Sequence, residues 1–355
     1  MEVKTVVKKT AIRKREVVLP IRPEIMFIPN RVTNAKYNYT LIQEKIFNYV
    51  LFNLQEAIKL SLNGKDYSQL KLFKDINEDR ISITVPMRNI AGPNHYPDVR
   101  EAAENLAKSI IRIVQVNKDN GQREMRSLTL FGAVVTPMDK TRNSEIKIEM
   151  SKEVSRLLVE MDINKVGMPS NYTSFDLQVV NRAKNKYTPR IYKKIESWKE
   201  KGGFYMTLAE FRDWLDLGDK YQKYAEIKRN ILVPVQEELE GKALCWFNCK
   251  EKSFEKRQGK EVVGLSFKVI TPEFEEMKIK QADNIKDLLI RHLGFKAEHL
   301  AQVECIFTPR FDFNKMSSEV LRLHAYVQEN SKEIGNKQAY LIKCLLKDFS
   351  PTKND

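Results

Sequence analysis

Three segments decide how this chain is read: YTPRIYKKIESW (residues 187–198), TLAEFRDWLDLG (207–218) and YAEIKRNILVPVQEE (224–238). In the first, Ile191, Ile195 and Trp198 recur at helical spacing, so a helix is expected over about 187–201, stopped by Gly202-Gly203. In the second, Thr207 and Glu210 have capping-box spacing: the hydroxyl accepts from an orphan N–H and the Glu returns a bond to the cap. They open a helix carrying Phe211, Trp214 and Leu215, which Leu217-Gly218 ends. The turn Asp219-Lys220 leads into a third helix, from about Lys223 to Glu240. Ile227, Ile231 and Val235 share its inward face, and Pro234 is expected to kink it. Residues 243–250 then read as a strand, 251–261 as a polar loop and 262–270 as the return strand. Helix, turn, helix and hairpin in succession make a winged helix.

The same order occurs upstream. Thr40 and Gln43 form another capping box, opening a helix in which Ile42, Ile46, Val50, Leu54, Ile58 and Leu62 recur until Asn63-Gly64. Residues 80–85 alternate as a short strand, 86–90 form a short helix, and Gly92-Pro93-Asn94 is a turn. Pro97 opens a helix that carries Val99, Ala103 and Leu106. Strands over 111–116 and 126–135 flank the hairpin turn Asp119-Asn120-Gly121, and a further strand covers 145–150. Two copies of one order with little residue identity indicate a repeat of architecture.

The expected fold is therefore α+β: two tandem winged-helix domains with a small C-terminal helical region. The expected boundaries are a basic N-terminal arm over 1–36, a first winged helix over 37–165, a second over 175–271, and helices within 272–355. The joint falls near 162–174, where Gly167, Pro169 and Ser170 cluster. Lys and Arg total 61 against 47 Asp and Glu, a formal net charge of +14 in 355 residues with both signs interspersed. That excess points to a polyanionic partner, with nucleic acid ahead of a membrane surface. No apolar run is long enough to span a bilayer and the N-terminus lacks a secretory core, so a cytoplasmic protein is expected. Cys245 and Cys249 have no Cys or His pair at ligand spacing after them, so the four cysteines read as reduced structural thiols and no metal is expected.

The three opening segments, together with YTLIQEKIF (39–47), resemble the iteron-type plasmid replication initiators, the initiator replication protein family. The resemblance spans roughly residues 35–270. Ile227 stands where that family commonly has an aromatic residue, Val235 where it has Ala, and Leu239-Glu240 where it has Ile-Asn. The resemblance implies binding of double-stranded DNA at direct repeats of a plasmid origin, one winged helix per major-groove segment. It also implies opening of a nearby A·T-rich region, recruitment of host replication proteins such as a helicase or the chromosomal initiator, and autorepression by a homodimer. A winged-helix repressor without replication activity is the alternative.

The candidate DNA contacts follow from the motif, in which the start of the second helix meets base edges and phosphates. In the second domain they are Lys220, Lys223, Tyr224, Lys228 and Arg229, within a stretch (182–229) holding thirteen Lys and Arg against seven Asp and Glu. Arg229 suits a guanine edge, and Lys223 or Lys228 a phosphate. The second wing offers Lys252, Lys256, Arg257 and Lys260. In the first domain they are Arg88, Asn94, Tyr96 and Arg100 near the reading helix, with Lys118 and Arg123 in the wing. No enzyme is expected. No Gly-x-x-x-x-Gly-Lys-Ser/Thr loop cradles phosphate, and the four His include no paired motif that would hold a nicking metal beside a Tyr nucleophile. Neither a catalytic residue nor a cofactor is assigned.

Overall fold

The computed structural model describes residues 23–74, 79–116, 120–137, 144–307, 313–330 and 334–349. Residues 25–33 lie within the stretch expected to be a basic N-terminal arm, but they fold into the first domain. Met26 and Ile28 alternate inward on β1 (Ile25–Pro29), which runs straight into the one-turn helix α1 (Asn30–Thr33). The partner of β1 lies far along the chain, which is why local pattern did not reveal it. Residues 1–22 of the arm lie outside the described residues.

The Thr40 capping box forms as expected: Gln43 N–H donates to Thr40 Oγ1 (3.2 Å) and Thr40 N–H to Gln43 Oε1 (2.9 Å). The single helix expected after it is two, α2 (Leu41–Asn53) and α3 (Gln55–Leu62), joined at the buried Leu54. The Gln55 amide explains the break. It leaves the helix to bond both backbone groups of Phe27 on β1, accepting at 2.8 Å and donating at 3.0 Å. Strand β2 (Arg80–Pro86) leads through two short 3-10 turns to α4 (Tyr96–Lys108), with Pro97 in its first turn. The hairpin is β3 (Ile110–Val116) with β4 (Arg123–Thr129). The expected return strand stops there. Leu130 and Phe131 turn into the core, and β5 (Ala133–Val135) joins a different sheet, in which β6 (Glu145–Ser151) lies between β2 and β5.

Helix α5 (Lys152–Val159), a small hairpin of β7 (Asp162–Ile163) and β8 (Pro169–Ser170), and β9 (Tyr172–Asp176) fill the region expected to be a joint. It is no linker: β9 pairs antiparallel with β1, so the first domain closes on itself here. After α6 (Leu177–Arg182) comes α7 (Thr188–Glu196), the first of the three opening segments. α7 was expected to begin the second domain, yet its polar residues are buried against the first.

Arg190, 4% exposed, donates from Nη2 to the carbonyls of Ala35 and Trp214 (2.7 Å each) and from Nη1 to that of Tyr37. Its guanidinium lies over the rings of Tyr37 and Trp214, 4.1 and 5.0 Å from their centroids. One turn on, Lys193 reaches into α2, where Nζ lies 3.4 Å from Glu44 Oε2 and 3.3 Å from Asn48 Oδ1. Burial and then the neighbouring Glu44 push the Tyr37 phenol well above its ordinary range. Outside this core, Lys36 pairs with Asp213, and Arg112 lies 3.8 Å from Asp216.

The remaining elements are β10 (Gly203–Thr207), α8 (Leu208–Trp214), a helix from Tyr224 to Leu239 built of α9 (Tyr224–Ile227), a wide turn and α10 (Val233–Leu239), and the hairpin of β11 (Glu255–Gln258) and β12 (Glu261–Lys268). β10 was not expected. Gly203 begins it against β12, where a Cβ would sit 2.1 Å from the Phe267 carbonyl oxygen; α7 has already ended at Glu196, short of the expected end near Lys201, and residues 197–202 are turn. Conversely, 243–250 is not a strand. Ala243, Cys245, Trp246, Phe247 and Cys249 are buried in irregular chain, and the pairing partners of β12 are β10 and β11. Helices α11 (Pro272–Leu293), α12 (Ala297–Val303), α13 (Phe313–Glu329) and α14 (Lys337–Phe349) share a core of their own, including Leu289, Phe295, Met316, Val320 and Leu345.

By contact, the chain divides into two units. One holds the residues up to Glu200 with Glu210–Trp246, and the other Lys201–Ala209 with residues from Phe247 onward. The helices of the second winged helix therefore belong with the first domain, and its sheet with the C-terminal helices.

Lys193→Met leaves the Glu44 carboxylate buried without its cation and is expected to destabilise the protein by about 3–5 kcal/mol. Adding Glu44→Met should recover most of that loss. Equilibrium urea unfolding checks both, and a single variant as stable as the parent would show that the pair is not coupled.

Candidate nucleic-acid interface

The helix from Tyr224 to Leu239 has one apolar face. Ile227, Ile231, Leu232, Val235 and Leu239 are buried, whereas Gln222, Lys223, Ala225 and Arg229 are exposed and Tyr224 and Lys228 half-buried. Glu226 starts it, its Oε2 accepting from the Lys223 N–H at 3.3 Å. The expected kink at Pro234 takes the form of a π turn. The Val233 N–H reaches back five residues to the Lys228 carbonyl, and Pro234 then has no N–H to give. The Asn230 carbonyl, which an α-helix would bond to residue 234, accepts instead from Asn185 Nδ2 at 3.0 Å.

The turn before this helix carries Lys220, exposed, and is tied to α8 by Arg212, which donates to the carbonyls of Gly218, Lys220 and Tyr221. Lys186 stands beside it. Burial first, and then the nearby charges of Lys220 and Arg190, lower its pKa from the ordinary lysine value. A cation crowded by cations is a place where an anion binds favourably. The basic count over 182–229 overstates what faces outward, however. Arg190 and Lys193 are interior, and burial lowers the Lys194 ammonium to about 8 while it packs 5.7 Å from the Trp214 ring centroid.

In the second wing, Lys252, Lys256, Arg257 and Lys260 are all exposed, with Lys260 in the two-residue turn between β11 and β12. A bulge between Lys256 and Arg257 re-aims neighbouring side chains. Arg257 spends its guanidinium within the wing, on the Glu255 carboxylate and the Lys260 carbonyl (3.2 Å). In the first domain, Arg88 and Asn94 are exposed on the turns ahead of α4, Tyr96 is half-buried at its start, and Arg123 is exposed at the start of β4. Arg100 is half-buried, with its Nε inward and without a partner. Lys118 lies outside the described residues. The outward face of α4 carries Glu101 and Glu104 exposed in its middle and Lys108 at its end, with Asp98 in the first turn held 3.0 Å from His95. Along their lengths the two helices are alike in charge, Lys228 and Arg229 against Glu226, Glu237 and Glu238 in one, Arg100 and Lys108 against Asp98, Glu101 and Glu104 in the other; what sets the second apart is the pair of exposed lysines just ahead of it, Lys220 and Lys223.

The family profile described as Initiator Replication protein, WH1 matches residues 25–196, and that described as Initiator Rep protein, WH2 matches 207–269. The chain belongs to the initiator Rep family. It is thus a plasmid replication initiator with two winged-helix domains. No curated protein matches the chain. The first match begins at β1 and ends with α7, the same elements that pairing and burial join to the first domain. Among the described residues, no helix is long and apolar enough to cross a membrane.

Sequence reasoning missed three residues that shape the site of this initiator: Asn185, Arg190 and Arg212. Arg190 and Arg212 sit in the quoted segments, but only as charges; what marks them is the set of carbonyls they face, which no local pattern carries. Asn185→Ala strands the Asn230 carbonyl beside the π turn and should cost about 1–3 kcal/mol in denaturant unfolding. An unchanged midpoint would mean that the Asn185 amide does not support the turn.

Proposed function

We propose that this initiator binds directly repeated duplex DNA at a plasmid origin, with the second winged helix as the main reader. The observation that carries the proposal is the division of the 224–239 helix into a buried apolar face and an exposed face led by Lys223 and Arg229, with Lys220 just ahead of it. Helix starts of this kind meet base edges and phosphates in the major groove. Arg229 is the base reader, bidentate to a guanine edge. Lys220, Lys223, Lys228 and the wing residues Lys252, Lys256 and Lys260 neutralise phosphate, as a flexible basic hairpin suits. Arg257 is the weakest of the wing contacts, because its guanidinium is already engaged. Arg88, Asn94, Tyr96, Arg100, Lys118 and Arg123 place the first domain on an adjacent segment, largely through the backbone.

Opening of neighbouring A·T-rich DNA, recruitment of host replication proteins by the C-terminal helices and autorepression by a homodimer complete the reading, in the cytoplasm and without a catalytic step of its own. The separate core of α11 to α14, with Leu321 and Tyr326 exposed on α13, supports a recruiting role for that region.

A footprint on DNA flanking the gene is expected to show regularly spaced, protected direct repeats, with permanganate-reactive thymines beside them. Protection without any repeat would defeat the proposal, and repeats without melting would favour the repressor. On a cognate repeat, Arg229→Ala should weaken specific binding by about 1–3 kcal/mol and relax discrimination at one position. Lys256→Ala should instead weaken binding evenly across sequences and reduce the salt slope by about one. Gel-shift titrations over a salt series separate the two, and a swapped pattern would reverse the assignments.

A further inference from the structure

The turn between α8 and the reading helix carries unusual backbone. Asp216, Gly218 and Tyr221 all have positive φ (52°, 52° and 55°), two of them with side chains that disfavour that region. Such a turn persists only where its surroundings hold it. The holding group is Arg212, in the last turn of α8. Its Nη2 donates to the Gly218 carbonyl (2.8 Å) and the Lys220 carbonyl (3.0 Å), and its Nη1 to the Tyr221 carbonyl. A single planar fork thus fixes three carbonyls within four residues, a geometry that the point charge of a lysine does not reproduce. The Tyr187 ring meets Tyr221 edge-on at 6.5 Å and backs the same turn. Lys220 lies inside the clamped segment, and Lys223 is the second residue beyond it.

We propose that Arg212 is a positioning residue for DNA recognition. It faces the turn rather than the DNA, and by holding the turn it sets where Lys220 and Lys223 stand before DNA arrives. The proposal rests on the second winged helix being the reader. Preorganised groups lose less freedom on binding, so the effect falls on the correctly docked complex. Loose electrostatic association, in which the protein hops between phosphates, needs the charge but not the geometry.

The test uses the full chain, a duplex bearing the footprinted repeat, and a scrambled duplex of equal length and composition. Arg212→Lys keeps the charge and removes the fork. Its affinity for the repeat is expected to fall about tenfold or more, comparable to losing one matched base pair. Its affinity for the scrambled duplex should stay within about twofold, and the salt slope on the repeat should flatten by about one for each phosphate that is no longer neutralised. Gly218→Ala supplies an independent perturbation. It leaves Arg212 intact and adds a Cβ into open space at a position whose φ of 52° disfavours one, so it should shift the same ratio in the same direction.

Equal losses on both duplexes, in step with a lowered melting temperature, would reduce Arg212 to a stabilising residue and overturn the proposal. So would a parent-like ratio in both variants. If the parent protein itself fails to prefer the repeat, the reading role of the second winged helix falls, and this inference with it. A parent that discriminates beside variants that discriminate equally well removes the inference alone.

Discussion

The buried guanidinium of Arg190 is the constraint on which the rest of this structure depends. A charge held at 4% exposure is costly unless its donors are met, and here both Nη groups meet backbone carbonyls from two places distant in sequence, residues 35–37 and the end of α8, while Nε is buried without a partner. The rings of Tyr37 and Trp214 cover the planar group and exclude water from it. Lys193 repeats the arrangement one turn along α7, against Glu44 and Asn48. α7 is therefore anchored in the first winged helix by polar contacts whose rupture would leave charges stranded. The helix pair of the second winged helix inherits a fixed starting point from it.

That anchoring changes how the charge of the protein is understood. A net charge of +14 suggests a broad cationic surface, yet some of the most prominent cations in the 182–229 stretch are interior and structural. Six remain exposed there: Arg182, Lys184 and Lys201, and, about the start of the 224–239 helix, Lys220, Lys223 and Arg229, with Lys228 half-buried beside them. In the first domain, Glu101 and Glu104 occupy the outward face of the corresponding helix. The two copies of one architecture differ less along these helices than just ahead of them, where Lys220 and Lys223 stand exposed in one and Arg88 and Asn94 in the other.

The reading helix itself shows local rules broken where function is expected. Pro234 lies within a helix, a π turn precedes it, and a side chain from outside that helix supplies the missing donor to the Asn230 carbonyl. Just upstream, two of three residues with positive φ, Gly218 and Tyr221, are held at their carbonyls by one arginine, Arg212. Both departures flank the exposed cations, and both depend on partners that the surrounding fold delivers.

The sequence by itself determined the winged-helix order, the capping box at Thr40, the inward face of Ile227, Ile231 and Val235, and the helical character of the C-terminal region, though not α12, because these rest on contacts within a few residues. The family resemblance was legible for the same reason: it is carried by contiguous motifs. Only the tertiary structure decided that β1 belongs to the first domain, since its partner β9 lies about 150 residues away, and that 243–250 is buried irregular chain, since β12 takes β10 as its other neighbour. It also decided which cations face outward. Periodicity places a residue on a face, but whether a lysine on that face meets water or a buried glutamate depends on what packs there, and that information lies far along the chain.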